Sequence, residues 1–415
     1  MGYSLSCSAC EAEFGPEQAL YQCAECGARL EIGYDLSQLA TADRGMVVKS
    51  GGPGVWRYRS LLPATKSTPQ FSLGEGSTPL LPANKLGQAV GLPDLYLKNE
   101  AINPSGTFKD RCMAVGVAKA LEFGARALAI ASAGNAGAAA ATYAARAGLP
   151  CYVFVPAITP PERITQILVH GAQAIAVKGT VNDCIDMMNR GRAEFGWHLL
   201  TTAAPINPYQ GEGPKTIAYE ICEQSGWAVP NWVILPVGGG GILSACWKGF
   251  QEFHRLGWIE RLPRLVGVQA EGCAPLIRAF EEGRGPEEIE SWGPPTTLAA
   301  SIADPFPLDG ATALPAIRAS GGVAVAVSDE EILQAEELLA RKEGVFAEPA
   351  SSATLAALQK LLAKGTIGRE ESVVLVITGT GFKDMTTAIR LTGSFPTIEP
   401  RFEQMAEAVR SHADR

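Results

Sequence analysis

The sequence is short of several features that would point to simple classes of function. Its 415 residues include only four histidines, His170, His198, His254 and His412, and none falls in a motif, so none is assigned a catalytic role and each is expected at a surface or helix position. There is no basic block: 35 Lys and Arg stand against 43 Asp and Glu, a formal charge of −8 spread along the chain, which argues against nucleic acid or a membrane surface as partner. No run approaches the ~18 uncharged apolar residues of a membrane-crossing helix. The opening Met-Gly-Tyr-Ser-Leu-Ser-Cys lacks the charged start and apolar stretch of a signal peptide, so a cytoplasmic protein is expected. Glycine and proline are frequent but dispersed, which removes collagen-like and disordered readings.

What is present is a large apolar fraction, 47%, enough for a sizeable core in two or three domains. Ten cysteines fall into two groups. Six of them, Cys112, Cys151, Cys184, Cys222, Cys246 and Cys273, are scattered through apolar or helical contexts, as small buried hydrophobes in a reducing compartment are. The other four, Cys7, Cys10, Cys23 and Cys26, form two C-x2-C pairs twelve residues apart. Two such pairs can bring four thiolates to one tetrahedral zinc, and Gly27 supplies the positive φ that a cysteine knuckle often requires. A closed four-sulfur site leaves no position for substrate, so this metal is expected to be structural. Residues 1–36 are therefore expected as a zinc ribbon and 37–70 as a linker around Gly51-Gly-Pro-Gly54, with a short helix near Val55–Leu62.

The rest of the chain is organised around Asn103-Pro-Ser-Gly-Thr-Phe-Lys109-Asp-Arg111, a glycine-containing turn entering a small-residue helix over 113–121. A lysine amine fixed beside a desolvated cleft loses proton affinity and becomes nucleophilic, able to form a Schiff base with a carbonyl cofactor. From Ala125 onward strands alternate with helices: strands at 127–131, 151–155 and 174–177, helices at 135–146, 161–170 and 181–195, then a strand at 232–236 and a helix at 242–254. Later come strands at 323–327 and 373–377 and helices at 329–342 and 352–362. That alternation means βαβ units and parallel sheets, which bind ligands at the carboxyl ends of their strands. Three further motifs fall at such ends: Ser132-Ala133-Gly134-Asn135, Gly238-Gly239-Gly240-Gly241 and Thr378-Gly-Thr380-Gly381. A helix N-terminus offers free amides to a carboxylate, although Ser132 and Asn135 could also simply cap their helix. Four glycines let bare amides curl round a phosphate.

These four motifs, in this order over residues 70 to 390, resemble the fold-type II pyridoxal phosphate (PLP) enzymes and, within them, the threonine synthase family. The resemblance implies an α/β fold of two parallel-sheet domains, a large PLP-binding one at 71–98 and 206–395 and a small one at 99–205, with a C-terminal tail at 396–415. It implies PLP on Lys109, its phosphate in Gly238–Gly241, its phenolic oxygen on Asn135 and its ring nitrogen on Thr378. It places Ser132, Ala133 and Gly134, with Arg111 and Lys215, at a small amino-acid substrate, and it suggests a homodimer. Leu73-Gly-Glu75-Gly-Ser-Thr78 is similar to a family segment lining the cofactor cleft, and Glu348-Pro-Ala-Ser-Ser352 to one facing the cofactor. The implied reaction is that of threonine synthase on O-phosphohomoserine and water. The sequence departs from the family at Ala204, Pro205 and Gln210, where an Asn-Ser pair and an arginine are expected, and at Thr380, where histidine is common. Lys98, Arg111 or Lys215 would then have to meet the substrate phosphate. A serine/threonine dehydratase, a β-replacement enzyme on serine or O-phosphoserine, and a catalytically decayed PLP-binding or zinc-ribbon interaction protein stay open as alternatives.

Overall fold

Apolar runs closed by Gly, Ser or Thr become buried parallel strands in the computed structural model, which describes residues 2–40, 43–49, 52–392 and 395–413. The larger sheet has six strands in the order Val323–Val327, Arg264–Ala270, Trp232–Pro236, Val373–Ile377, Leu95–Asn99 and Leu80–Pro82. The first five are parallel and the short edge strand Leu80–Pro82 runs antiparallel to its neighbour. Helices cover both faces, which is why these strands read as continuous Val, Ile and Leu rather than as an alternation. The helix Pro349–Ala363 packs across this sheet and is buried on nearly every side, as its string of Ala, Ser and Leu allows.

A second, fully parallel sheet orders Gln173–Val177, Cys151–Pro156, Leu128–Ala131 and His198–Leu199. The helices Asn135–Ala147 and Lys109–Glu122 pack together beside it. The third sheet is small and antiparallel: Glu13–Phe14, Tyr3–Cys7 and Leu30–Tyr34. The sequence expects a short helix after the linker, and a 3-10 helix spans Gly54–Leu61; Gly51 lies outside the described residues. The segment expected as a tail carries a helix, Phe402–Ala413. Among the described residues no helix is long and apolar enough to cross a membrane.

The small antiparallel sheet is docked on the rest of the protein by buried polar contacts. Tyr34 donates to Glu212 (2.7 Å), Lys248 donates to the Ile32 carbonyl (2.6 Å) and to Glu212 (2.5 Å), and Lys119 donates to the Tyr3 hydroxyl (2.8 Å). Tyr21 meets His198 Nδ1 at 2.5 Å. The sequence expects His198 at a surface or helix position; it is instead buried beneath this sheet, and burial lowers its proton affinity to about 3.

Candidate active site and metal cluster

Three adjacent parallel strands of the six-stranded sheet, Trp232–Pro236, Val373–Ile377 and Leu95–Asn99, end on the same side. Their carboxyl ends run into the glycine loop, into Thr378 and into the turn that carries Lys109. Sheet order, not sequence distance, therefore brings the motifs together. Ser132 to Asn135 follow the strand Leu128–Ala131 of the other sheet and face them across a cavity of about 1090 Å³ lined by Lys109, Ser132, Ala133, Gly134, Asn135, Gly238 to Gly241 and Thr378.

Lys109 opens the helix Lys109–Glu122. The turn before it is braced at several points: Asn103 accepts from the Gly76 amide (2.9 Å) and donates to Glu100 (2.9 Å), while Asp110 accepts from the Ser105 amide (2.6 Å). The Phe108 amide donates to the Thr378 carbonyl (2.9 Å), tying the lysine turn to the last strand of the sheet. Lys109 is half-buried, with its amine 4.5 Å from the Phe108 ring centre and no hydrogen bond or ion pair among the described residues. Burial pulls the amine below the ordinary lysine range, against the attraction of Cys112, Glu348, Asp304 and Asp309.

Asn135 begins the helix Asn135–Ala147, yet neither it nor Ser132 makes a side-chain cap to that helix. Its amide instead donates to Glu348 (2.8 and 3.1 Å) and to Ser301 (3.2 Å), across the cavity. Thr378, 3% exposed, shares a hydrogen bond with Ser351 (2.9 Å). The Gly238–Gly241 loop is closely packed by its neighbours. A Cβ on Gly238 would stand 3.0 Å from the Ser301 carbonyl, one on Gly239 3.1 Å from Asp304 Oδ2, and one on Gly241 2.9 Å from the Thr202 carbonyl. Gly240 also sits at φ +100° and its Cβ would lie 3.0 Å from the Asp309 backbone. The first amides of the helix Gly241–Arg255 have no intrahelical acceptor and are free for an anion. An unpaired, proton-poor amine and a bare-amide cradle on adjacent strand ends fit a carbonyl cofactor that carries a phosphate.

Glu348, Asp304 and Asp309 are among the carboxylates that line the same cavity. Burial raises the proton affinity of Glu348 and Asp304, and takes Asp309 to about 7. In the sequence, resemblance alone puts Glu348 opposite the cofactor. Asp304 and Asp309 lie in Ala-Asp-Pro-Phe-Pro-Leu-Asp, which carries no residue pattern that would single them out.

Two residues expected at the substrate are elsewhere. Arg111 is fully buried beneath the cavity: Nε and Nη2 donate to Glu100 (2.7 and 2.8 Å), and Nη1 and Nη2 donate to Glu220 (2.7 Å each). It lies two residues after Lys109 in a helix, which turns it away from the face that Lys109 presents. Lys98 belongs to the same cluster, donating to Glu220 (2.6 Å) and to the Thr78 carbonyl (2.6 Å). Lys215 is also fully buried, paired with Glu212 (2.6 Å) and Glu252 (3.0 Å), its amine 3.9 Å from the Tyr34 ring centre. It anchors the small sheet and does not line the cavity. Nor does the Glu75 to Thr78 segment, where Glu75 accepts from the Tyr143 hydroxyl (2.9 Å) and Thr78 donates to Glu100 (2.5 Å). Gln210, which replaces the expected arginine, is buried, accepting from the Thr201 amide (2.7 Å) and packing on Gly116. Thr380 packs its methyl group over Gly106.

The four cysteine sulfurs Cys7, Cys10, Cys23 and Cys26 lie within 4.8 Å of one another, with Cys7 3.4 Å from Cys26 and Cys10 3.6 Å from Cys23. Four sulfurs around a zinc at about 2.3 Å need close to this spacing. The amides of Cys10 and Ala9 point at the Cys7 sulfur and bring its thiol down to about 6, which suits a metal-binding thiolate at that position. Gly27 occupies the left-handed region at φ +75°.

Comparison with known proteins agrees with this geometry. The family described as "Pyridoxal-phosphate dependent enzyme" matches residues 71–379. The threonine synthase of Methanocaldococcus jannaschii is 43% identical over 385 residues, covering 92% of this chain and 94% of its own. That of Methanosarcina acetivorans is 40% identical over 411 residues, 98% of each chain. Among solved structures, the threonine deaminase of T.th. has a TM-score of 0.62 at 26% identity, covering 73% of this chain and 92% of that one. Maize serine racemase shares the fold, with a TM-score of 0.63 at 20% identity over 81% of this chain and 92% of its own. With the matched region holding Lys109, Asn135, the glycine loop and Thr378, the chain belongs to the pyridoxal-phosphate dependent enzymes and groups there with the threonine synthases.

Proposed function

We propose that this chain is a PLP-dependent lyase that converts O-phosphohomoserine and water to threonine and phosphate, a threonine synthase. The observation that carries the reading is the unpaired, proton-poor amine of Lys109 on the same cavity wall as the glycine cradle. Lys109 would hold the cofactor and, once released by the incoming amino acid, take the proton from its Cα. PLP, when bound, supplies the conjugated ring that spreads the negative charge left at that carbon. The amides of Gly238 to Gly241 would hold the cofactor phosphate, Asn135 the ring oxygen and Thr378 the ring nitrogen. A neutral hydroxyl at that nitrogen leaves it unprotonated, which suits elimination and replacement more than transamination. The loop Ser132-Ala133-Gly134 at the start of Asn135–Ala147 would orient the substrate carboxylate. Glu348, Asp304 and Asp309 keep their protons more tightly than ordinary carboxylates, so an anionic cofactor and substrate meet less opposing charge.

We include in this reading a structural zinc on Cys7, Cys10, Cys23 and Cys26, supported by the sulfur spacing, and a homodimer working in the cytoplasm. Light scattering of the purified protein checks the dimer. One observation favours a second reading: Gln210 is a core residue rather than a cation in the cavity, and a dehydratase needs no site for a substrate phosphate. The deciding experiment gives PLP-loaded protein O-phosphohomoserine and, separately, L-threonine and L-serine. Phosphate and threonine in equal amounts support the synthase, with both lost in Lys109→Ala. Ammonia and a 2-oxo acid from the free amino acids, with no phosphate from the first substrate, would replace it with the dehydratase.

A further inference from the structure

The small cysteine sheet forms part of the cavity wall. Ser6 and Arg29 to Gly33 line the same cavity as Lys109 and the glycine loop. Of these only Arg29 brings a positive charge. The body holds the strand that follows it, Leu30–Tyr34, through the Lys248 bond to the Ile32 carbonyl and the Tyr34 bond to Glu212. Arg29 itself is pinned at its backbone, where its carbonyl accepts from the Ser8 amide at 3.0 Å. Its guanidinium is therefore delivered from a fixed base.

The other basic side chains on the cavity wall are occupied or peripheral. Lys109 is reserved for the cofactor, Lys248 is bound to Glu212, and Lys383 donates to Gln166 (2.8 Å). Arg163 and Arg255 stand half-buried and exposed at the rim. Among the described residues Arg29 is paired only with Glu31, whose side chain is 53% exposed, an ion pair weak enough to be exchanged for a dianion. Asp309, which accepts from the Ala204 amide (3.1 Å), lines the same cavity; burial raises its proton affinity, and the charges of Arg29 and Lys109 pull the other way. The guanidinium and the Lys109 amine therefore belong to the wall of one cavity.

We infer that Arg29, carried on the cysteine sheet, binds the anionic leaving group of the substrate, and that the sheet thereby forms one wall of the active site. The identity of that anion as the phosphate of O-phosphohomoserine rests on the function proposed above; the anion site itself does not.

The test compares wild type, Arg29→Ala and Arg29→Lys as PLP-loaded proteins in three measurements: KM and kcat for O-phosphohomoserine, binding of inorganic phosphate by calorimetry, and affinity for PLP. The side chain makes only one exchangeable surface pair, so both variants should fold with wild-type melting curves. Loss of charge-assisted hydrogen bonds predicts a KM raised on the order of 10- to 100-fold in Arg29→Ala, partly recovered in Arg29→Lys, and phosphate binding weakened in parallel, with PLP affinity unchanged. Unchanged KM and phosphate binding would overturn the inference. So would a fall in PLP affinity with substrate affinity intact, which would assign Arg29 to the cofactor phosphate. If wild type releases no phosphate from O-phosphohomoserine but binds inorganic phosphate in an Arg29-dependent way, the proposed reaction fails and the anion site stands.

Discussion

Arg111 sits two residues from Lys109, and its contacts assign it to stability. The cluster holds two cations, Arg111 and Lys98, and two anions, Glu100 and Glu220, all with side chains at most 1% exposed. In Arg111→Met, Glu220 keeps Lys98 and the Ser77 amide (2.7 Å), but Glu100 keeps only Thr78 and Asn103. A buried carboxylate stripped of its cation is the expensive outcome, and breaking such a pair costs about 3–5 kcal/mol. With an unfolding entropy of about 2.1 cal/mol/K per residue, 415 residues give about 0.9 kcal/mol/K, so Tm should fall by about 3–6 °C. The diagnostic is the sign of the next step. Arg111→Met with Glu100→Gln removes the stranded charge and should recover part of the loss, whereas two independent contacts would lose additively. Melting curves of wild type, both single variants and the double variant decide it. A Tm within 1 °C of wild type for Arg111→Met, joined to a raised KM, would refute the reasoning and return Arg111 to the substrate.

Other expectations follow from the same geometry. Glu336 is 1% exposed and neither of its oxygens has a hydrogen-bond partner among the described residues; burial takes its carboxyl up to about 7. The folded state therefore holds this proton more tightly than the unfolded one, and stability falls as pH rises from about 4.5 to about 7. Glu336→Gln should raise Tm at pH 8 by about 1–3 °C, as expected for about 1–3 kcal/mol of lost desolvation, and change it little at pH 4.5. Gly240→Ala forces a Cβ into the left-handed region, at a cost of about 1–2 kcal/mol, and against the Asp309 backbone, so cofactor titration should show PLP affinity reduced at least ~10-fold. A strong chelator should release one zinc per chain and lower Tm, and Cys10→Ser should reproduce that melting curve; protein grown with zinc that carries none would refute the metal assignment.

The parts of the fold that the sequence makes legible are those whose local signal and burial agree. The strand 373–377 is five consecutive apolar residues closed by Thr-Gly, and the structure gives it the same limits. The strand Arg264–Ala270 escaped because Gly267 and Gln269 interrupt its run. Both are explained by packing: a Cβ on Gly267 would lie 2.7 Å from Ile317, and Gln269 accepts from the Leu276 and Ile277 amides (2.9 and 3.2 Å). In the site, backbone-driven features were readable, because a glycine run between a strand and a helix has few other uses. Charges were not. A buried Arg111 and a cavity-facing Arg29 look alike in sequence, and only the partner acids, Glu100 and Glu220 against the exposed Glu31, separate them.

The place of the strand Val373–Ile377, between Trp232–Pro236 and Leu95–Asn99, has a consequence for how the protein is made. Leu97 is registered on Leu375 and Ile234 also pairs with Leu375, so within the sheet the lysine-bearing strand joins the glycine-bearing one through a segment made after both. Until then the strand Leu95–Asn99 has only the three-residue Leu80–Pro82 beside it and an open apolar edge on the other side. Pairings of such long sequence separation form slowly. A nascent chain ending before residue 373 therefore has the glycine loop and the lysine but lacks the strand that sets them side by side in the sheet, and it exposes a strand edge that invites aggregation.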